Sequence, residues 1–365
     1  MTVPFTEPGR PLALCGTAHE RGKAQATEGE AARDDVRRVT RSRVSDAQAG
    51  GLIGDEARRY LDAQRGFAES ECDAEMAELA GIAEAFDIPF DELFIHLHLG
   101  TLRDLTAASL GFADGCSAWA VADGPDGPIA VKNRDFSGHH AGIQRVFRHE
   151  GPDLSHGPML CLGSLGSPGA YSSGINAAGL AVVDTQVGVR AHGIGWLRYF
   201  LMTRLLSTTS TVAEAVDLIR SVRHAGGGTL VLADRLGTVA AVELDADGVA
   251  IETAPVVCRT NHFTTTSLAP ETLVDPRSGI EDTSRARRAF LDEVLPGRSW
   301  DAAQAAQLMA QHRTAEERSA PLCQHQDAGG TRTISTAVYC CRSSLMYACL
   351  DNPCTGPWQS IALMS

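Results

Sequence analysis

The spacing of apolar positions divides the chain into a helical first part and a strand-rich second part. From Gly51 to Ala85 and from Phe90 to Leu105, apolar residues recur near helical spacing among Ala, Glu and Arg. Residues 17–50 are more polar and indicate helix less clearly. From Cys116 onward, short runs of β-forming residues alternate with turn residues, which predicts strands.

Ten short strands and four helices are predicted after this change of pattern. The strands are expected at 116–122, 129–135, 159–163, 169–175, 180–184, 229–233, 239–244, 248–252, 333–339 and 344–350. The helices are expected at 196–207, 212–222, 283–294 and 300–311. Because many antiparallel strands occur with helices between them, an α+β fold is favoured over alternating βαβ units.

Composition argues against several classes of function. The chain has 365 residues and a net charge of −13, which disfavours nucleic-acid binding because phosphate contacts need clustered Lys and Arg. No apolar run approaches the ~20 residues of a membrane span, and the first residues lack the pattern of a signal peptide. The ten cysteines include no CxxC pair, so reduced thiols and a cytoplasmic location are expected.

The most informative stretch places a cysteine and a carboxylate at the ends of two neighbouring apolar runs. Cys116 follows Gly115 and begins one run, and Asp135 closes the next. The connector between them, DGPDGP, is dense in turn residues. Symmetric pairing about this connector predicts that Cys116 lies opposite Asp135, with Cβ atoms ~5 Å apart.

Four motifs in this order resemble a known family. DGCSAW at 114–119, NRDF at 133–136, SGINAAGLAVV at 173–183 and RTNHF at 259–263 are similar to the penicillin acyl-CoA:6-aminopenicillanate acyltransferase family. That family comprises the C45-type autoproteolytic cysteine acyltransferases and hydrolases among the N-terminal-nucleophile (Ntn) hydrolases. The resemblance begins at Cys15-Gly16-Thr17 and extends over nearly the whole chain.

The resemblance implies a four-layer αββα sandwich and a precursor that cuts itself between Gly115 and Cys116. Residues 1–115, mostly helical, would become the small subunit, and residues 116–365 the catalytic core of a heterodimer. Cys116 would then attack an acyl carbonyl, with its new α-amine as base. An α-amine with a pKa of ~8 suits proton transfer near neutral pH.

Further roles follow from the same resemblance. Asp135 would orient the amine of Cys116, and Asn261 would stabilise the oxyanion, a contribution typically of ~3–4 kcal/mol. Residues expected to bind substrate are Asn133, Arg134 at a place where Trp is often found, Asn176, and Gln186 together with Asp184. Ser284 and Arg287 fit a Ser-x-x-Arg pattern, which we interpret as a helix cap and a surface charge.

Two other classes of function remain open from the residues alone. A papain-like hydrolase could pair Cys116 with a histidine such as His262, and a silent binding protein could share the scaffold. We favour the Ntn enzyme, with a small amide or acyl-CoA as acyl donor and an amine or water as acceptor. This mechanism requires no metal or organic cofactor. Cys and His residues crowd the C-terminal end, but their spacing lacks close ligand pairs, so no metal site is predicted.

Overall fold

A computed structural model describes residues 5–106, 115–273, 280–311, 322–325 and 331–363. The first stretch contains two strands and five helices: β1 (Phe5–Pro8), β2 (Leu12–Cys15), α1 (Ala18–Ala24), α2 (Glu30–Ala49), α3 (Asp55–Glu71), α4 (Asp73–Phe86) and α5 (Phe90–Thr106). The helices expected at 51–85 and 90–105 are therefore present, as α3 with α4 and as α5. Asp114 of the DGCSAW motif lies outside the described residues.

The second part alternates strands with four helices. Its strands are β3 (Ser117–Val121), β4 (Ile129–Ser137), β5 (Gln144–Glu150), β6 (Met159–Ser164), β7 (Ser173–Asn176), β8 (Ala181–Thr185), β9 (Gly228–Ala233), β10 (Val239–Leu244), β11 (Val249–Thr253), β12 (Val256–Arg259), β13 (Thr331–Cys340), β14 (Leu345–Cys349) and β15 (Trp358–Ala362). Its helices are α6 (Arg198–Thr208), α7 (Val212–Ser221), α8 (Ile280–Val294) and α9 (Ala302–Met309).

These strands form two sheets. One has the order β1-β15-β14-β13-β4-β3-β12, and the other has the order β11-β10-β9-β8-β7-β6-β5-β2. Neighbouring strands run antiparallel except for β1 with β15 and β2 with β5, which are parallel. The first residues of the chain thus supply an outer strand of each sheet, so the N-terminal segment is built into both.

Three apolar layers separate four structural layers. In β3, Ala118 and Ala120 pack between the two sheets, whereas Trp119 and Val121 pack beneath α8 and α9. The other face of the second sheet is covered by α2–α7. Because side chains of a strand alternate between faces, each sheet has a helix-covered side and a side that faces its partner. The predicted α+β class and αββα sandwich are confirmed.

The pairing of β3 with β4 differs from the prediction by one residue. Ser117 pairs with Asn133 and Val121 with Ile129. The loop between the paired strands therefore spans residues 122–128, one residue more than the predicted connector at 123–128. If this register is continued by two residues, Asp135 lies opposite Gly115 and not opposite Cys116.

The sequence did not predict five of the described strands, β1, β2, β5, β12 and β15. Four of them have only four or five residues, and β5 (QRVFRHE) carries charges on its less buried positions. The strand predicted at 169–175 is shorter, because Gly169 adopts a positive φ of 50° in a loop that precedes β7. Of the described helices, none is both long and apolar enough to cross a membrane.

Candidate active site

Cys116 lies immediately before β3, which is next to the edge strand β12 of the seven-stranded sheet. β3 runs between β4, which carries Asp135, and β12, which leads to Asn261. The cysteine is 6% exposed and lines a small cavity of about 40 Å³. This cavity opens between the two sheets, on the face shared with Ala118 and Ala120.

Asp135 lies directly beside the bond between Gly115 and Cys116. The N–H of Gly115 donates to the main-chain carbonyl of Asp135 at 3.3 Å. A Cβ atom on Gly115 would lie 3.3 Å from Oδ2 of the same aspartate. The carboxylate is fully buried, and its Oδ1 accepts a hydrogen bond from Thr333 Oγ1 at 2.6 Å. The aspartate is therefore held in place next to the residue pair at which cleavage is expected.

Asn261 approaches Cys116 from the strand on the other side. Arg259 of β12 pairs with Ala118 of β3, and continuation by two residues brings Asn261 beside Cys116. Its Nδ2 donates to the carbonyl of Gln186 at 2.9 Å, and its main-chain N–H donates to Ser284 Oγ at 2.7 Å. Asn261 is thus held by Gln186, which follows β8 of the other sheet, and by α8.

Arg287 of α8 joins the two sides of the site. Its Nη1 donates to the carbonyl of Cys116 and, at 2.9 Å, to Ser117 Oγ, while its Nη2 donates to Asn261 Oδ1 at 2.9 Å. The guanidinium is fully buried, and burial lowers its pKa, although Asp135 and Cys116 oppose this effect. The interpretation of Arg287 as a surface charge is therefore wrong, because its side chain is buried. That of Ser284 as a helix cap is wrong as well, because α8 begins four residues earlier, at Ile280.

A charged wall closes the far side of the Cys116 cavity. Lys132 Nζ donates to one oxygen of Asp184, and Arg198 Nε donates to the other at 2.7 Å. Burial alone would raise the pKa of Asp184, but the two cations hold that pKa below its usual range. Asp184 is therefore an ionised partner for both cations within this buried wall.

Arg134 lines the same cavity with a different set of partners. Its Nη1 donates to Gln144 Oε1 at 2.8 Å and to Ser164 Oγ at 3.0 Å. The guanidinium also lies 5.2 Å from the ring centre of Tyr171 and 5.6 Å from that of Phe136. Among the described residues, no carboxylate forms an ion pair with Arg134. The place where the family often has Trp thus holds a cation at the cavity surface.

Gln186 also borders the cavity, at the end of β8. Its Oε1 accepts from Arg198 Nη2 at 2.6 Å, while its main-chain carbonyl binds Asn261. Gln186 and Tyr199 also line an adjoining cavity of about 40 Å³, to which Leu97 and Gly100 of α5 contribute. The N-terminal helices therefore build part of the wall near the candidate nucleophile.

Two residues predicted to bind substrate lie elsewhere. Asn133 faces away from the cavity, where its Nδ2 donates to the carbonyls of Met309 and Leu322. Asn176 uses its amide to bind the carbonyls of Leu206 and Thr209, and so anchors β7 to the end of α6. The alternation of side chains along β4 explains the first case, since Asn133 lies between the two cavity-facing residues of that strand. The side-chain amide of each asparagine thus holds two segments of the fold together by hydrogen bonds.

The papain-like alternative lacks its catalytic histidine in this structure. His262 Nδ1 lies 2.8 Å from Ser284 Oγ, and burial together with nearby arginines lowers the pKa of His262 to about 4. No histidine occurs among the described residues that line the Cys116 cavity. His262 thus supports the loop that carries Asn261.

Several cavity residues were not found from the sequence. Lys132 gave a weak signal, as a lysine at an inward position of an apolar strand. Arg198 and Tyr199 gave none, because they reach the site from a helix far along the chain. Arg198 is held in turn by the glycine-rich loop before β9, because its Nη1 donates to the carbonyl of Gly227 at 2.6 Å.

Comparison with known proteins identifies the family. The family model for acyl-coenzyme A:6-aminopenicillanic acid acyl-transferase matches residues 122–355. The chain belongs to this family. The match includes Asp135, Asn261 and Arg287 and starts six residues after Cys116. For Cys116 the support comes instead from the DGCSAW motif and from the contacts described above.

Solved structures with some similarity include two hydrolases. A mutant of conjugated bile acid hydrolase from Clostridium perfringens is 13% identical with a TM-score of 0.41, over 67% of this chain and 96% of that one. Penicillin V acylase from Agrobacterium tumefaciens is 12% identical with a TM-score of 0.38, over 68% and 86% of the two chains. No curated protein matches the chain significantly.

Proposed function

We propose that this protein is a self-cleaving cysteine Ntn enzyme that transfers or hydrolyses an acyl group. The family makes an acyltransferase or amide hydrolase the general activity. The observation that supports the finer proposal is the set of contacts around one peptide bond. Asp135 contacts Gly115, and Arg287 binds both the carbonyl of Cys116 and the amide of Asn261.

Maturation would begin with attack of the Cys116 thiol on the carbonyl carbon of Gly115. The C–N bond to Cys116 breaks, its nitrogen takes up a proton, and a thioester joins Gly115 to the sulfur. Water then hydrolyses the thioester, which leaves a carboxylate on Gly115 and the free amine and thiol on Cys116. Asp135 is positioned to hold that new amine, because it already contacts the residue pair.

Turnover would use the same groups on an external substrate. The α-amine accepts the thiol proton, and the thiolate attacks the acyl carbonyl to form a thioester. Asn261 has a second hydrogen on Nδ2 beside the one given to Gln186, and it can donate this to the developing oxyanion. The α-amine returns the proton to the leaving group, and water or a second amine then releases the acyl group.

Arg134 on the cavity surface supports a substrate with an anionic group. Lys132 and Arg198 already share Asp184, whereas the described partners of Arg134 are neutral oxygens and aromatic rings. A carboxylate or phosphate on the substrate would supply the missing counter-charge of Arg134 through a charge-assisted hydrogen bond. Both a small N-acyl amide with a carboxylate and an acyl-CoA meet this requirement.

The fragments would remain together after cleavage as a heterodimer. The N-terminal segment supplies β1 and β2 to the two sheets, and its helices cover the second sheet through a large apolar cluster. α5 also lines the cavity next to Cys116. Loss of the small fragment would expose this core and remove part of the substrate site.

Intact mass under denaturing conditions tests the proposal. Fragments of about 12 and 26 kDa are expected, since the 38.7 kDa chain would divide into residues 1–115 and 116–365. The Cys116→Ala variant should remain full length and inactive, while Cys15→Ala, a change at an exposed cysteine, should cleave normally. A wild-type chain that stays uncut, or an active Cys116→Ala protein, would contradict the proposal.

Substrate class is tested with paired amides of equal size, one with a carboxylate and one with a neutral amide in its place. Arg134→Gln should raise KM for the anionic member by about tenfold or more and leave the neutral member nearly unchanged, because only the former uses the guanidinium. Equal effects on both substrates would indicate that Arg134 only supports the cavity wall.

A further inference from the structure

Three potential metal ligands meet next to the seven-stranded sheet, near the start of β13 and the end of β14. Cys323 Sγ lies 3.7 Å from Cys354 Sγ, and His325 Nε2 lies 3.3 Å from the first sulfur and 3.1 Å from the second. Their spacing in the sequence predicted no metal site, because Cys354 lies 31 residues from Cys323. The fold closes that gap by bringing residues 322–325 against the segment that follows β14.

These distances suit tetrahedral coordination. For Zn–S bonds of about 2.3 Å and Zn–N bonds of about 2.0 Å, tetrahedral angles place two sulfurs about 3.8 Å apart and sulfur and nitrogen about 3.5 Å apart. The sulfur–sulfur distance agrees closely, and the sulfur–nitrogen distances need only a small outward shift of the ligands. A disulfide would need sulfurs at about 2 Å, and these two cysteines are unbonded.

The surroundings of the cluster fit a bound metal ion as well. Asn352 Nδ2 lies 3.6 Å from Cys323 Sγ, and amide donation of this kind supports a thiolate ligand. Cys323 is buried, Cys354 is half-buried and His325 is exposed, so the cluster reaches the surface and a metal ion can enter. With three protein ligands, a water molecule would complete the tetrahedron.

We propose that Cys323, His325 and Cys354 bind one zinc ion. Two thiolates and an imidazole form a borderline-soft ligand set, which favours Zn²⁺ over Mg²⁺ or Ca²⁺. The ion links the 322–325 segment to the loop after β14 and so fixes a part of the chain that has little regular structure. This site is separate from the chemistry proposed for Cys116, and it stands or falls independently of that function.

Hydrogen bonds connect the three ligands to Asp135 through Gln324 and Thr333. Gln324, between two of the ligands, donates its main-chain N–H to Thr333 Oγ1 at 2.8 Å and accepts from Thr333 N at 3.1 Å. Thr333 in turn donates to Asp135. Zinc would therefore steady the threonine that orients this carboxylate, as a positioning element that does not touch the substrate.

Metal analysis of the full-length protein tests the site. The protein is produced with added zinc salt, purified without chelators under reducing conditions and analysed for zinc by mass spectrometry. About one zinc per chain is expected for the wild type, and less than about a tenth of that for Cys354→Ser. Cys15→Ser is the matched control, because it removes an exposed thiol on β2 of the other sheet and should keep the metal.

Thermal unfolding gives a second measurement. A chelator should lower Tm in the wild type and in Cys15→Ser, with no effect on Cys354→Ser, because zinc stabilises only a folded state that binds it. His325→Asn replaces an exposed side chain and serves if the cysteine variant fails to fold. Wild-type protein that holds no zinc after incubation with zinc chloride, equal zinc in Cys354→Ser, or a Cys323–Cys354 disulfide in the purified chain would overturn the proposal.

Discussion

Gly115 and Asp135 contact each other through main chain and side chain at once. The glycine N–H donates to the aspartate carbonyl at 3.3 Å, and any Cβ atom on Gly115 would lie 3.3 Å from both Cβ and Oδ2 of Asp135. Contacts of that length are tighter than most real Cβ contacts, so one side must shift. A glycine before the candidate nucleophile thus lets the carboxylate lie against the bond between Gly115 and Cys116.

We therefore expect Gly115→Ala to slow self-cleavage by about tenfold or more, since the added methyl group displaces Asp135 from the bond. The measurement is the fraction of cut chain over time by denaturing gel. Gly142→Ala is the matched control, because a Cβ atom there meets no atom within 4 Å. Equal cleavage rates for the two variants would show that Asp135 need not approach Gly115.

Thr333→Val should reduce kcat with little change in KM. It removes the hydrogen bond to Asp135 Oδ1, and a bond to a charged group contributes about 1.5–3 kcal/mol, or roughly 10- to 150-fold. Thr336→Val on the same strand removes the comparable bond to Asn133, which lies away from the cavity. Its kcat should stay near the wild-type value, and a similar loss in both variants would indicate only general weakening of β13.

Arg287→Lys should impair cleavage and turnover together. A lysine has a single charged nitrogen and cannot bind the Cys116 carbonyl and Asn261 as the two arms of the guanidinium do. We expect kcat/KM to fall by roughly 100-fold, as for loss of an oxyanion-stabilising contact. The neighbouring Arg288→Lys, at an ion pair with Asp292, should behave like the wild type. If Arg287→Lys retained full activity, the bridge would have no role in chemistry.

Buried histidines should make the fold sensitive to acid. Burial lowers the pKa of His98 on α5 to about 4, whereas an unfolded histidine titrates near 6.5. Between these values the unfolded state binds more protons. The free energy of unfolding should therefore fall as pH drops from about 6.5 towards 4, by up to about 1.4 kcal/mol per pH unit for this residue.

The measurement is urea unfolding of the wild type and His98→Phe at pH 7.5 and pH 5. Phe keeps a ring next to Phe94 but cannot take a proton. Its loss of stability between the two pH values should be smaller by about 2 kcal/mol, from about 1.5 pH units below the unfolded pKa. The matched control is His139→Phe, a change at an exposed histidine, which should show the wild-type dependence. An identical slope in all three proteins would contradict the assignment.

The sequence predicted the class of fold, because apolar spacing is a local signal, and its motifs named Cys116, Asp135 and Asn261, which the fold brings close together in the candidate site. It misplaced the pairing of Cys116 by one residue, because turn residues indicate a hairpin but do not fix which residue is the last to pair, and Ala122 belongs to the loop. Arg287 was interpreted as a surface charge, although its side chain is fully buried. A short Ser-x-x-Arg pattern carries no information on burial, which comes from the packing of α8 against β12.

The edge strands β1 and β2 pair with β15 and β5, which lie on the other side of the proposed cleavage point. In the precursor, both edge strands are tethered to the rest of the sheets, so refolding is unimolecular. After a cut at Gly115, the same pairings would have to form between two separate polypeptides. Renaturation of the mature protein should then depend on concentration, and thermal inactivation should be reversible for the precursor and irreversible at high dilution for the mature form.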